Sequence, residues 1–552
     1  VTETNDKSIL GLHENFIGIN LEKKENIFSS DFLKKYNLEK FYIQKNHGFK
    51  LHSKIRTFDE IKSPPFENEW GWYAAGIEGG LPSNWILYCN EIDCLLDLKR
   101  IFYKIDFKEN LKLIIKEVEC QILLLKEEFI ALHIRGADII YGDYYKKWSL
   151  EDFVGDKVFP YEIALEIIKN HANSNNKIII FGQDVKSNMK LLNYIVKNNI
   201  LPKNKIFTVD EFVNKSLNIF ERTFFEMVLM SYALKIYTPG IQAQKSAFSQ
   251  CAMMIAGRKN VISYHEIFSL EQQYRIIKEN LKLLHLDNLY DSMTYFQLYK
   301  LSRTLNLSLE LSLEYITKAM ELDSDNYAWC IHYIYCHFLI NDFSSIEYFL
   351  KTLLKQNRLD SLLQTFTISG AMRIYQQQEK YFIFFGFKDA YPTISYVGMW
   401  LNYHYGEFVT AYKIYRNYQK NSINLEIDLK SFFSYHRKIN LISNNAALIV
   451  KNHLSYKLGK ILLECKSFGD LIELPMIVRY FIKESKKEKI YLESSFFELE
   501  KLDCYEQSCN IKKYFSYQLG NIIIKSFKNW YKGDLLLLPY KIFILYKNLK
   551  KK

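Results

Sequence analysis

From Leu111 onward the chain alternates two kinds of apolar pattern. In LKLIIKEVECQILLLK, from Leu111 to about Lys126, apolar residues recur at helical spacing and give one greasy side. A short unbroken apolar run follows, FIALHI (Phe129–Ile134), with charge before it and glycine after it. Such runs read as strands buried on both faces. The alternation continues with a helix at Tyr161–His171, strand KIIIFG (Lys177–Gly182), a helix at Lys186–Asn198 and strand KIFTV (Lys205–Val209). Beyond these come a helix at Ile219–Leu234, strand KIYTPG (Lys235–Gly240), a helix at Ala247–Ala256 and strand NVISY (Asn260–Tyr264). Strands separated by helices of this length predict a parallel sheet covered on both sides. Ligands of such sheets bind at the carboxyl ends of the strands.

The pattern changes on either side of this block. Residues 1–130 read as a mixed α/β lobe with a glycine-bearing loop, GWYAAGIEGGLPSN (Gly71–Asn84). Beyond about residue 270, helices replace strands. In LSLEYITKAMELDSDNYAWCIHYIY (Leu311–Tyr335), Ala319 and the turn ELDSDN suit a tetratricopeptide-like helical pair, although an ordinary hairpin reads the same. Residues 452–487 and 513–552 repeat each other: each has Ser-Tyr-x-Leu-Gly, an apolar stretch, then Leu-Pro before an aromatic-rich helix ending in lysines. That repeat reads either as a surface docking on a membrane or partner, or as core helices with solvated ends. The expected segments are therefore 1–130, 131–270, a helical 271–440 and a repeat region 441–552.

Composition narrows the classes. At 552 residues the chain is too long for one core, since domains hold ~100–200 residues. Its 48% hydrophobic and 16% aromatic content excludes a disordered or fibrous chain. Lysines and arginines (73) exceed acids (62) by 11, but the lysines are scattered among apolar residues and form no arginine-rich groove. Anionic ligands or an acidic membrane surface are expected, and no nucleic acid. Nine cysteines with no CxxC pair or zinc spacing suggest thiols in a reducing cytosol and no metal site. The N-terminal VTETNDKSILGLHENF lacks a signal-peptide pattern, and no run reaches the ~20 apolar residues of a membrane span. A cytoplasmic protein, touching the inner face of the membrane through its C-terminal helices, is the expectation. Because the first residue is valine, the chain is expected to be trimmed or to begin inside a longer product.

Chemistry concentrates in ALHIRGAD (Ala131–Asp138). Strand side chains alternate, so His133 and Arg135 point to one side and converge just past the strand end. A diphosphate suits that point: the guanidinium forks onto two phosphoryl oxygens, and backbone N–H groups at Gly136 and Ala137 add donors. The alternative is a structural ion pair of Arg135 with Asp138 or Asp184. Gln183 and Asp184 also fall at a strand end.

This stretch resembles the HxRxGD or HxRxxD motif of the fucosyltransferase superfamily, which includes the α1,2-, α1,6- and protein O-fucosyltransferases. KIIIFGQD (Lys177–Asp184) resembles the family's strand ending in an acidic turn. EMVLMSYALKIYTPGIQAQKSAFSQCAMMIAG (Glu226–Gly257) resembles its acidic-and-Met helix, short strand and Ser-Phe-Ser segment. The resemblance covers roughly Phe129–Tyr264. It implies an α/β GT-B fold of two facing Rossmann-like lobes, with residues 1–130 as a reduced acceptor lobe and 131–270 as the donor lobe. By the same resemblance the protein is an inverting, metal-independent glycosyltransferase. It would move a sugar from a nucleotide diphosphate, a GDP-sugar such as GDP-fucose, to a bacterial surface glycan such as capsule or lipooligosaccharide, free or lipid-linked, with no further cofactor. Arg135 would hold the β-phosphate and stabilise the charge of the leaving group. His133 would support the phosphate or its loop, and Asp138 would brace the turn. Asp184 and Gln183 would meet the base, while Ser246, Phe248 and Ser249 near a helix N-terminus would place the diphosphate.

Two departures stand out. Gly136 replaces the second arginine of HxRRGD that is linked to fucose donors. Gln183 replaces an acidic or serine position. Glu78, in the glycine loop, is a candidate general base, with a plain surface turn as the other reading. Two rival functions remain: transfer of another group, heptosyl or modified phosphoryl, to a capsule sugar, and a catalytically silent helical scaffold.

Overall fold

The computed structural model describes residues 22–36, 90–141, 157–240, 245–367, 390–420, 450, 453–465, 468–492, 505–529, 532–534 and 536–550. The loop at 71–84, with Glu78, lies outside them.

The predicted strands form one parallel sheet. They are β1 (Phe129–His133), β2 (Lys177–Phe181), β3 (Ile206–Thr208), β4 (Lys235–Thr238) and β5 (Val261–Ser263), in the spatial order β3-β2-β1-β4-β5. Every pairing is parallel; Ile130 of β1 stands beside Ile178 of β2 on one side and Lys235 of β4 on the other. The apolar runs are unbroken because both faces are buried. Ile130 and Leu132 enter one core, while Phe129 and Ala131 enter the other.

Helices α1 (Glu91–Lys104) and α2 (Glu109–Leu125) precede β1. After it come α3 (Tyr161–Asn170), α4 (Val185–Lys197), α5 (Ile219–Ser231) and α6 (Ala247–Ala256), one between each pair of successive strands. The crossovers through α3 and α4 bury residues such as Ile163 and Leu191 in the core of one face. Those through α5 and α6 bury Phe225 and Ala252 in the core of the other. The chain therefore reverses its winding beside β1, between β1 and β4. This doubly wound arrangement opens a crevice at the carboxyl ends of the two central strands.

The domain boundaries differ from those expected. Over their described residues, α1 and α2 contribute Leu95, Leu111 and Val118 to the same core as Phe129 and Ala131, so no separate lobe ends at residue 130 there. Nor does one end at 270. Helices α7 (Leu270–Glu279), α8 (Asn288–Thr304) and α9 (Leu309–Leu322) add Ile276, Phe296 and Ile316 to the other core. A first compact unit runs to Cys336. Ala319, singled out as a small residue in a helical pair, is buried, and its carbonyl accepts the Ser292 hydroxyl of α8 at 2.7 Å.

The second unit is helical: α10 (Phe343–Lys355), α11 (Pro392–Tyr405), α12 (Phe408–Lys420), α13 (Leu454–Glu464), α14 (Phe468–Leu492), α15 (Phe515–Lys528) and α16 (Leu538–Lys550) are its principal described helices. Buried carboxylates tie successive helices together by meeting orphan N–H groups at helix starts. Glu347 of α10 accepts the Thr393 and Ile394 amides at 3.0 and 2.9 Å, and Glu464 of α13 accepts the Val409 amide at 2.9 Å.

The Ser-Tyr-x-Leu-Gly repeat is a reciprocal contact. A β-carbon added to Gly459 of α13 would lie 1.6 Å from the Ser516 carbonyl oxygen of α15, and one added to Gly520 of α15 would lie 1.7 Å from that of Ser455. Each copy's glycine thus seats the other's serine, a backbone approach that only glycine allows. The Ser455 hydroxyl donates to Asn521 Oδ1 at 2.6 Å beside the crossing.

Gly459→Ala must push the two helices apart, and such overpacking costs about 1–3 kcal/mol or more. Urea unfolding should register that loss for Gly459→Ala and Gly520→Ala alike. Equal midpoints for wild type and both variants would contradict the contact.

Candidate functional site

A cavity of about 260 Å³ opens where β1 and β2 end. Its wall takes His133 to Asp138 from β1 and the turn after it, Gly182 and Gln183 from the end of β2, Arg222, Thr223 and Glu226 from α5, and Ser246 to Phe248 at the start of α6. The two strand exits lie side by side because Gly182 has no side chain: a β-carbon there would stand 2.6 Å from the Ile134 carbonyl oxygen. Asn188 pins the turn by donating to the Gly182 carbonyl at 3.0 Å, while its amide oxygen accepts the Tyr161 hydroxyl at 2.9 Å.

Arg135 reaches Asp138 Oδ2 through its guanidinium at 3.0 Å, both side chains being partly exposed in the cavity. The other carboxylate oxygen, Asp138 Oδ1, is buried and has no hydrogen-bond partner. Across the β1 end, His133 Nδ1 lies 2.8 Å from Ser249 Oγ, and the Ser249 hydroxyl donates to Thr238 Oγ1 at 3.1 Å. A hydroxyl engaged that way has lone pairs left for the imidazole, so Nδ1 carries the ring proton and Nε2 is an acceptor. Burial, with the Arg135 charge nearby, pushes the His133 pKa down to about 3. His133 is therefore a neutral polar group, and the expected convergence of two cations on β1 reduces to one, Arg135.

Two other expected contacts stand behind the cavity wall. Asp184 caps α4: Oδ1 accepts the Ser187 amide at 2.9 Å, and Oδ2 accepts the hydroxyls of Ser187 at 2.8 Å and Tyr141 at 3.2 Å. It is buried, and its oxygens are used. Ser249 is fully buried and serves His133. Gln183, Ser246 and Phe248 do line the cavity, with the Phe248 ring 5.2 Å from the imidazole. Ser246 starts α6 without capping it through its side chain, so the positive end of a ten-residue helix faces the cavity.

Sequence reasoning passed over Arg222. Its guanidinium joins Asp210 at 2.7 Å and Glu226 at 2.8 Å. Burial raises the Glu226 carboxyl to about 7 against the opposing pull of Arg222. The signal was present: an otherwise apolar helix, rich in Phe, Met and Leu, carries an arginine and a glutamate four residues apart, which suits a buried wall of a polar cavity. Among the described residues no group of three or more His, Cys, Asp or Glu side chains is placed to hold a metal ion, and no helix is long and apolar enough to cross a membrane.

Residues 399–551 match a family described as a domain of unknown function (DUF8374). No curated protein and no solved structure matches the chain.

Glu162, buried on α3, is also raised by burial to about 7. With Glu226 it makes the folded state bind more protons than the unfolded chain between an ordinary 4.5 and about 7. The contribution of these two groups to stability is therefore greatest below 4.5 and declines as pH rises through about 7. Thermal melts over this range should show a shallower decline in Glu226→Gln than in wild type. Parallel curves would contradict the assignment.

Proposed function

We propose that the sheet unit is the donor-binding lobe of a GT-B glycosyltransferase, metal-independent and inverting, that takes a sugar from a nucleoside diphosphate, with GDP the first candidate. One observation carries the reading. A cavity at the switch point of a doubly wound parallel sheet is lined both by Arg135 and by the open N-terminus of α6, two features that favour an anion.

In this reading Arg135 and the first amides of α6 hold the diphosphate. The acceptor hydroxyl oxygen bonds to the anomeric carbon, the bond from that carbon to the phosphate oxygen breaks, and its electron pair goes to the β-phosphate. Arg135 then offsets the charge that grows there, which is stabilisation given where the transition state needs it. The acceptor proton passes to a general base. His133, held neutral, offers the Nε2 lone pair to an O–H or N–H of the nucleotide. Because the oxygens of Asp184 are engaged, Gln183 and Glu226 are left to meet the edge of the base. The acceptor is a surface glycan, reached from the cytoplasmic side. The Arg135–Asp138 ion pair favours a second reading, a non-catalytic scaffold in which Arg135 is structural.

Thermal-shift titrations with GDP, UDP, CMP and ADP, on wild type and Arg135→Ala, separate the two. GDP should stabilise the wild type. Losing charged hydrogen bonds of about 1.5–3 kcal/mol should weaken binding by roughly tenfold or more in the variant, with an unchanged melt in buffer. Response to a different nucleotide would keep the transferase and replace the donor; response to none, or an Arg135→Ala protein that melts early without losing affinity, would favour the scaffold.

A further inference from the structure

The last described helix, α16, carries an apolar face that no described element covers. Its inner side, Leu538, Ile542 and Leu545, is half-buried, whereas Tyr540 is 62% exposed, Phe543 60% and, in the turn before the helix, Leu536 88%. Ile544 is also exposed. Tyr540, Phe543 and Ile544 fall at i, i+3 and i+4, so they form one stripe. Contiguous exposed apolar surface of this kind marks an interaction site.

The internal repeat supplies a control for what belongs there. Aligned through Gly-Asp-Leu and Leu-Pro, α14 is the counterpart of α16: Asp470 corresponds to Asp534, Glu473 to Leu537, Arg479 to Phe543 and Tyr480 to Ile544. On α14 α12 covers part of that surface, while Ile472 and Met476, the counterparts of Leu536 and Tyr540, stay exposed. Lys413 pairs with Asp470, Arg416 with Glu473 at 2.9 Å, and the rings of Tyr412 and Tyr415 each stand 5.2 Å from Tyr480. On α16 the means of holding such a helix are gone. Asp534 is paired with Lys541 at 3.0 Å, and a leucine stands where Glu473 met an arginine. A basic helix like α12 would meet leucine and lysine.

The substitutions point elsewhere. From Leu535 to Lys552 the sequence has five lysines and no acid. An apolar stripe with a tyrosine on it, in a stretch rich in lysine and free of acids, suits the boundary between acyl chains and anionic head groups. We infer that the exposed face of α16 docks in the plane of an anionic lipid bilayer and holds the chain at its surface. This inference does not rest on the transferase reading, and it assigns a role to one surface of the domain of unknown function.

Co-sedimentation of the full chain with lipid vesicles tests it. The protein should pellet with phosphatidylcholine–phosphatidylglycerol vesicles at low salt, at least about tenfold more weakly with phosphatidylcholine alone, and progressively less as salt screens the lysines. Tyr540→Glu/Phe543→Glu should abolish pelleting while keeping the circular dichroism melt and nucleotide response of the wild type, since both side chains are exposed. Three outcomes would overturn the inference: no pelleting on anionic vesicles, equal pelleting on both lipids, or pelleting untouched by the double substitution. A concentration-dependent dimer that the double substitution splits, without vesicle binding, would also overturn it and make a second copy the occupant.

Discussion

Everything at the candidate site depends on β1 being buried on both faces and paired along both edges. Under that constraint a polar side chain is costly anywhere along the strand and is tolerated only where the chain leaves the sheet. His133 and Arg135 sit at that exit. The same exit is where the crossovers part, α3 and α4 going to one face and α5 and α6 to the other, and it opens into the cavity. Gly182 then decides how near the second exit lies, because its close approach to the Ile134 carbonyl leaves no room for a side chain. The position of the cavity follows from backbone packing before any polar residue is considered.

The polar groups are arranged so that none carries its charge alone. Arg135 leans on Asp138, Arg222 bridges Asp210 and Glu226, and His133 is kept neutral between a hydroxyl and a hydrophobic ring. Burying a cation without a partner would cost far more than these pairs return. Any anion entering must therefore compete with Asp138 for the guanidinium of Arg135. Asp138 enters that contest poorly satisfied, with one oxygen unpartnered inside the protein. The opposing pull is short of donors, and the helix end at Ser246 offers an anion donors that Asp138 does not use.

What was legible in the sequence followed from local pattern. Unbroken apolar runs betrayed every strand, and a histidine and arginine at the end of one of them marked the cavity. Tertiary accounting was not legible. Asp184 resembles a ligand in sequence, yet the first turn of α4 has orphan amides and takes its oxygens. Ser249 directly follows Phe248 in the cavity wall but turns inward to His133. Arg222 and Glu226 became visible as a pair only once α5 was seen packed against the sheet. The two cores run across the expected boundaries at 130 and 270 for a related reason. A doubly wound sheet must cover both faces, and this one recruits α1 and α2 from one side of the motif block and α7 to α9 from the other.

The C-terminal repeat shows how one sequence pattern can serve two purposes. Ser-Tyr-x-Leu-Gly is common to both copies at the place where the copies touch, and there it cannot vary freely, because each glycine's missing side chain makes room for the other copy's backbone. The helices that follow share a Leu-Pro but differ in length, 25 residues against 13, and in charge. Acidic residues on α14 answer the basic residues of α12, while Tyr540 and Phe543 of α16 and Leu536 before it stand exposed. Sameness in the repeat thus reports an internal contact, and difference reports what each copy looks out upon. Neither explanation of the repeat displaces the other: its first half is core, and the second half of its second copy carries the exposed apolar face.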